Sequence, residues 1–175
     1  MVARDAQRKK DLTHVAEHAL RASGFDSVGL YLFDDNKRVT EGVILGMPDA
    51  FCRAYEVTGM QIDPVLADVR ETGLPASTET CLGERWTRSE LYKRVSGRFG
   101  LTGFATLPLY RLDQLAGVLY LGALSENAPQ TMSLEGLFTM SPHATRISTH
   151  LLNLPKRAPA LTARQNAIAA LTADG

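Results

Sequence analysis

The stretch GFATLPLYRLDQLAGVLYLGAL, from residue 103 to residue 124, decides the fold of this chain. Strand-forming residues fill Gly103 to Tyr110 and Leu115 to Leu124, and the polar segment Arg111 to Gln114 lies between them. Two such runs joined by a short polar segment are typical of an antiparallel hairpin. The sequence therefore predicts a sheet built around this pair of strands.

A second hairpin is predicted closer to the N-terminus. SVGLYLF, from Ser27 to Phe33, is rich in strand formers, Asp34 to Asn36 turns the chain, and Arg38 to Leu45 forms the return strand. Before it, residues of about 4 to 22 are predicted to form an amphipathic helix that ends at Ser23-Gly24. The apolar positions that recur at helical spacing there are Leu12, Val15, Ala16 and Leu20.

Short helices are predicted between the two hairpins. The first begins at Pro48 and ends at Gly59, and the second begins at Asp63-Pro64 and ends at Gly73. A third is expected after a loop, where Thr87 and Glu90 have the spacing of a capping box.

A long helix is predicted to close the domain, and Pro142 within it is expected to kink or split it. Its apolar residues are Leu134, Leu137, Phe138, Ile147 and Leu151. Helix, two strands, helices, two strands and helix follow one another without parallel crossovers. This order predicts an α/β (α+β) fold class: a central antiparallel β-sheet sandwiched between helices, in α/β/α layers.

Composition narrows the class of protein. The 175 residues suit one domain and a tail, and 45% hydrophobic residues without a long apolar run indicate a soluble globular protein with no membrane span. Nineteen basic and nineteen acidic residues give no net attraction to DNA or anionic lipid. Cys52 and Cys81 lack Cys-x-x-Cys spacing, which is typical of free thiols in a cytoplasmic protein.

The last fifteen residues, LTARQNAIAALTADG, carry a helix start and a helix stop. Thr162 and Gln165 form a capping box, an apolar stripe follows, and a glycine ends the run. The order of residues resembles the first helix of the helix-turn-helix domain in LuxR-type transcriptional regulators. The resemblance implies a ligand-sensing domain over residues 1–153, a linker over 154–160, and the first helix of a truncated DNA-binding domain over 161–175. DNA would then be bound only through the missing C-terminal domain.

The motif IDPV, from Ile62 to Val65, resembles a segment of the acyl-homoserine-lactone sensor domains of that family, whose layers GAF-like sensors share. The resemblance implies that Asp63 accepts a hydrogen bond from the ligand amide. An aspartate before a proline is also an ideal helix N-cap. Asp63 therefore has two competing roles, and a side chain turned towards its own helix would weaken the ligand role.

Four other residues are candidate ligand contacts. Phe51 and Tyr55 are four apart and resemble the aromatic pair that flanks the lactone in the family, although such pairs are more often core. Thr78 follows Ser77 in the loop where the family has a tryptophan. Trp86 lies farther along the chain. It is expected either to reach the ligand from the loop or, as a single tryptophan usually does, to pack in the core.

Two departures from the family change the expected pocket. Gly59 and Met60 stand where an aromatic residue usually precedes the Asp-Pro pair, and the spacing from the aromatic pair to Asp63 is one residue short. A receptor needs a hollow interior that is polar beside Asp63. We therefore expect a pocket in the same place with a different ligand preference, or one too filled for acyl lactones.

No catalytic, metal or cofactor site is expected, so the chain is predicted not to be an enzyme. His14 and His18 have a spacing that could hold a metal, yet a solvated helix face explains them more simply. No nucleophile elbow, phosphate loop or dinucleotide fingerprint is present in the sequence.

The expected function is small-molecule (acyl-homoserine-lactone-like) sensing in a homodimeric, quorum-sensing type transcriptional regulator. Ligand binding would be coupled to dimerisation and DNA binding. The alternative is a GAF-like dimerisation module that senses another metabolite or no ligand.

Overall fold

The computed structural model describes residues 2–124 and 134–152. The elements in chain order are α1 (Val2–Ser23), β1 (Ser27–Phe33), β2 (Val39–Leu45), α2 (Asp49–Val57), α3 (Pro64–Thr72), β3 (Ala76–Ser77), α4 (Thr78–Cys81), α5 (Glu90–Arg94), β4 (Gly103–Arg111), β5 (Gln114–Ala123) and α6 (Leu134–Leu152). Short 3-10 helices cover Gly59–Gln61, Gly83–Arg88 and Ser96–Phe99. The linker and the tail helix predicted over 154–175 lie outside the described residues.

One antiparallel sheet of five strands, in the order β2-β1-β5-β4-β3, forms the middle layer. The hairpin of β4 and β5 turns at Leu112 and Asp113, so its connection has two residues instead of the four predicted from Arg111 to Gln114. Leu112 adopts a left-handed backbone in this turn, with a φ of 54°. The expected fold class is confirmed.

The two faces of the sheet bury different kinds of residue, because side chains alternate along a strand. Leu30 and Leu32 of β1 belong to an aliphatic core with α1 and α6. Tyr31 and Phe33 of the same strand belong to a second, aromatic-rich core with α2, α3 and α5. Every residue of β1 is buried, so this strand separates the two cores.

Two local predictions differ from the structure, and a third, the kink or split at Pro142, is tested only for the split. Ser89, and not Thr87, caps α5, with Ser89 Oγ accepting a hydrogen bond from Tyr92 N at 3.1 Å. The loop after α3 contains β3 and α4. Pro142 lies inside α6 without splitting it.

No helix among the described residues is long and apolar enough to cross a membrane.

Candidate functional site

Asp63 is buried beside the aromatic-rich core, at the start of α3. It precedes α3 with an extended backbone, φ −83° and ψ 106°, and Pro64 begins the helix with its φ already helical. Asp63 Oδ1 accepts hydrogen bonds from Val65 N at 2.9 Å and Leu66 N at 3.0 Å. The carboxylate thus satisfies two amides that a helix start would otherwise leave unpaired.

The other carboxylate oxygen faces two tyrosines. Tyr55, on α2, donates to Asp63 Oδ2 at 2.6 Å, and Tyr120, on β5, lies 3.3 Å from the same oxygen. The two hydroxyl oxygens are 2.7 Å apart, within hydrogen-bond distance of each other. We call these three residues the Asp–Tyr–Tyr triad; it joins α2, α3 and the sheet, and all of its members are buried.

Burial controls protonation in the triad. Loss of solvent raises the pKa of Asp63, and the hydrogen bonds from Tyr55, the two amides and Tyr120 oppose that rise. Burial, followed by the negative charge of Asp63, raises the pKa values of Tyr55 and Tyr120 well above the ordinary phenol value. Both tyrosines therefore keep their protons at neutral pH and act as donors.

Aromatic packing holds Tyr55 in place. Its ring stacks on Phe51, with centroids 6.0 Å apart and planes 9° from parallel, and meets Tyr120 edge-on at 5.7 Å. Gly59 lies against the same ring, since a Cβ at that position would be 2.6 Å from Tyr55 Cδ2. A glycine is needed there because the ring comes so close to the backbone.

A cavity of about 40 Å³ lies beside the triad, between the sheet and α2. It has no charged side chain in its wall. The lining residues are Ser27, Val28, Gly29, Tyr31, Ile44, Met47, Phe51, Tyr55, Ser96, Leu101, Phe104, Tyr120 and Gly122. Since one water needs about 10–15 Å³ and a benzene-sized guest about 150 Å³, this cavity holds at most a few waters' worth of space. The interior is thus nearly filled.

The structure brings some of the predicted ligand contacts together and separates others. Phe51 and Tyr55 line the cavity, whereas Asp63 is bound to Tyr55 behind the wall. Thr78 begins α4, where its Oγ1 accepts a hydrogen bond from Phe104 N at 3.3 Å. Trp86 donates to Thr102 O at 2.7 Å and packs edge-on against Phe104. Their roles as ligand contacts stay predictions.

Tyr31, Ser96 and Tyr120 are among the residues of the site that were not singled out from the sequence. Each lines the cavity, and Tyr120 completes the triad. The strand pattern offered one signal for Tyr31 and Tyr120, because each is the only tyrosine in its strand and lies among aliphatic and glycine residues. Nothing in the local sequence marks Ser96.

The two thiols are half-buried and form no disulfide, and Cys81 Sγ donates a hydrogen bond to Asp68 Oδ2 at 3.7 Å. Burial raises the pKa of Cys52, with Glu56 and Asp49 adding to the effect, and burial together with Asp68 raises that of Cys81. Both thiols are therefore mainly protonated at neutral pH, which disfavours nucleophilic attack. Within residues 2–124 and 134–152, no cluster of three or more His, Cys, Asp or Glu is arranged to hold a metal.

No family model matches this chain, and no curated protein matches it by sequence. Solved structures do match by fold. SdiA in complex with octanoyl-rac-glycerol is 16% identical over 95% of this chain and 70% of that chain, with a TM-score of 0.65. The VqsR ligand-binding domain from Pseudomonas aeruginosa is 14% identical over 81% of this chain and 86% of that one, with a TM-score of 0.57.

GAF domains match as well. The GAF domain/HD domain protein from Geobacter sulfurreducens is 12% identical over 83% of this chain and 94% of that one, with a TM-score of 0.55. At such identities the likeness establishes a shared fold. The chain has a GAF-like fold.

Proposed function

We propose that this chain is a small-molecule sensing domain of a quorum-sensing type transcriptional regulator. The observation that carries the proposal is the cavity between the sheet and α2, on a fold that is similar to a ligand-bound SdiA. Its wall is apolar with a few hydroxyl groups, the usual composition of a small-molecule pocket. No catalytic step is part of the proposal, and the raised pKa values of Cys52 and Cys81 are consistent with that.

The size of the cavity sets a condition on the mechanism. Pockets for drug-sized ligands measure about 300–1,000 Å³, so an acyl-homoserine lactone would need a wider interior than the present 40 Å³. Ile44 and Met47 are the half-buried residues of the wall, and methionine repacks easily. We infer that a ligand enters on their side and stabilises a widened form of the domain.

Such a ligand would act by population shift. It favours the widened form only by the difference in its affinity for the two forms. The sheet transmits the difference to α1 and α6 on its far face, and from there to dimerisation and DNA binding in the full regulator.

Thermal unfolding of the purified chain tests the proposal. The probes are N-octanoyl-homoserine lactone, 1-octanoyl-rac-glycerol and a panel of unrelated metabolites. A ligand at about a hundred times its dissociation constant adds about 2.7 kcal/mol to the free energy of unfolding, which raises the melting temperature by several degrees. A chain that no probe stabilises would contradict the sensing function.

A second candidate is a GAF-like dimerisation module that binds no ligand. The internal satisfaction of Asp63 favours it, because a carboxylate already engaged by two amides and a tyrosine hydroxyl offers little to a guest. Sedimentation velocity with and without the probes separates the two. A dimer that forms equally in both conditions supports the module, and a ligand-dependent dimer supports the sensor.

A further inference from the structure

Among the described residues, two hydroxyl oxygens in the wall of the cavity are fully buried and have no hydrogen-bond partner. Tyr31 is 2% exposed and Ser96 1% exposed, and neither Tyr31 Oη nor Ser96 Oγ is paired within the described part of the chain. Buried hydroxyls are nearly always paired, since an unpaired one costs about 1–3 kcal/mol. Both residues line the same cavity. A guest in the widened form of the cavity can supply the missing partners.

The carboxylate of Asp63, in contrast, already has its hydrogen-bond partners within the chain. It accepts from two backbone amides and Tyr55, with Tyr120 beside it, and these groups account for nearly all its acceptor capacity. A ligand amide could bind Asp63 only by displacing one of them. The buried and unpaired hydroxyl oxygens of the wall are those of Tyr31 and Ser96, whereas Asp63 has almost no acceptor capacity to spare.

Tyr31 is held firmly enough to serve as a fixed contact. Its ring lies 6.2 Å from that of Tyr55 and 6.0 Å from that of Tyr120, the latter edge-on. Its other side rests on Gly42, the residue opposite it on β2, where an added Cβ would overlap the ring. Because neighbours fix the ring, its hydroxyl is already oriented before a ligand binds.

The wall also defines the charge of the guest. It contains no acidic or basic side chain, and a buried charge without a partner is strongly unfavourable. Ile44, Met47, Phe51 and Leu101 offer apolar contact instead. A matching guest is neutral and mainly apolar, with a polar group that both donates and accepts hydrogen bonds.

We propose that Tyr31 and Ser96, rather than Asp63, make the polar contacts to the ligand, and that the ligand is a neutral amphiphile with an oxygen-bearing group. The proposal rests on the sensing function above and names the ligand class of that site.

Binding of three eight-carbon probes to the full chain tests this assignment by thermal shift. They are 1-octanoyl-rac-glycerol, N-octanoyl-homoserine lactone and octanoate, of which octanoate is charged at neutral pH. We expect one or both neutral probes to stabilise the wild type and octanoate to have no effect. Tyr31→Phe and Ser96→Ala should each weaken binding of a neutral probe by about 5- to 10-fold, the value of one neutral hydrogen bond.

Thr106→Val is the matched control. Thr106 is also fully buried and its hydroxyl is also unpaired, but it does not line the cavity. Tyr31→Phe and Thr106→Val should both be at least as stable as the wild type, because each removes a buried hydroxyl that has no hydrogen-bond partner and leaves the shape of the side chain nearly unchanged. Only the cavity variants should lose affinity.

The outcomes distinguish this assignment from the sensing function. Stabilisation of wild type by a neutral probe, undiminished in Tyr31→Phe and Ser96→Ala, would overturn the assignment and leave the function standing. Stabilisation by octanoate alone would overturn the neutral class. If none of these probes and no metabolite of the panel stabilises the wild type, the function falls, and the assignment with it.

Discussion

Tyr55 and Asp63, eight residues apart, are joined by a 2.6 Å hydrogen bond from the tyrosine hydroxyl to Asp63 Oδ2. The bond connects the last turn of α2 to the residue just before α3, across the 3-10 helix Gly59–Gln61. Since the same carboxylate also caps α3 through its other oxygen, one side chain orients two helices at the wall of the cavity. Asp63 therefore links α2 to α3 in the helix layer above the sheet.

Removing the Asp63 carboxylate should therefore destabilise the fold. Asp63→Ala deletes the cap of α3 and the acceptor of Tyr55, and we expect a loss of about 2–4 kcal/mol in the free energy of unfolding. Glu71→Ala, an exposed change on the same helix, should cost less than about 0.5 kcal/mol. Urea unfolding measures both. Equal, small effects would mean that the triad contributes little to stability.

The pH dependence of stability should carry the signature of a buried carboxyl. Burial raises the pKa of Asp63 in the folded state above about 3.9, the unfolded value. A carboxyl whose pKa is raised by folding stabilises the folded state at a pH below the pKa of the unfolded state. That contribution is lost as the pH rises through the pKa of the folded state.

Asp63→Asn provides the reference, because an amide does not ionise. The free energy of unfolding of wild type minus that of Asp63→Asn should fall as the pH rises through this acidic window and then stay level. Urea unfolding of both proteins across the acidic to neutral range measures the difference. A difference that grows with pH would indicate instead that the hydrogen bonds outweigh burial.

The N-terminus of α5 offers a second comparison, between two neighbouring hydroxyl residues. Ser89 Oγ accepts from Tyr92 N, and Ser89→Ala should cost about 1 kcal/mol. Thr87 is exposed and lies inside the 3-10 helix Gly83–Arg88, so Thr87→Ala should be nearly neutral. Thermal unfolding ranks the two variants. The reverse ranking would restore the capping box predicted from the sequence.

The N-terminus of α5 shows a limit of predicting a helix start from the local sequence. Thr87 with Glu90 satisfies the spacing of a capping box, and only the 3-10 helix that continues to Arg88 moves the start of α5 to Ser89. The strands were easier to predict, because runs of strand-forming residues and the turn residues between them can be recognised directly in the sequence. Ser27–Phe33 was predicted with the bounds that the structure gives.

The site was only partly predictable for a different reason. The Asp-Pro pair predicted a cap, and the four-residue spacing of Phe51 and Tyr55 placed both on one helix face, as the structure has them. Tyr120 is 57 residues from Asp63, and its place beside Tyr55 depends on strand register in the assembled sheet. The volume of the cavity depends on how closely the rings pack, which no spacing rule encodes.

Gly42 tests how closely Tyr31 is held. In most strands a glycine is unfavourable by about 0.5–1 kcal/mol relative to alanine, so an ordinary Gly→Ala change stabilises. At Gly42 the added Cβ would overlap Cδ1 and Cε1 of Tyr31, and we expect Gly42→Ala to destabilise by about 1–3 kcal/mol. The sign alone therefore separates a tight contact from a loose one.

A double-mutant cycle with Tyr31→Leu provides the control. The smaller side chain vacates the space over residue 42, so Gly42→Ala should be neutral or stabilising in that background. Denaturant unfolding of the wild type, the two single variants and the double variant gives the coupling energy. Additive effects would show that the alanine disturbs the edge strand β2 itself, and that the ring of Tyr31 has room to move within the wall of the cavity.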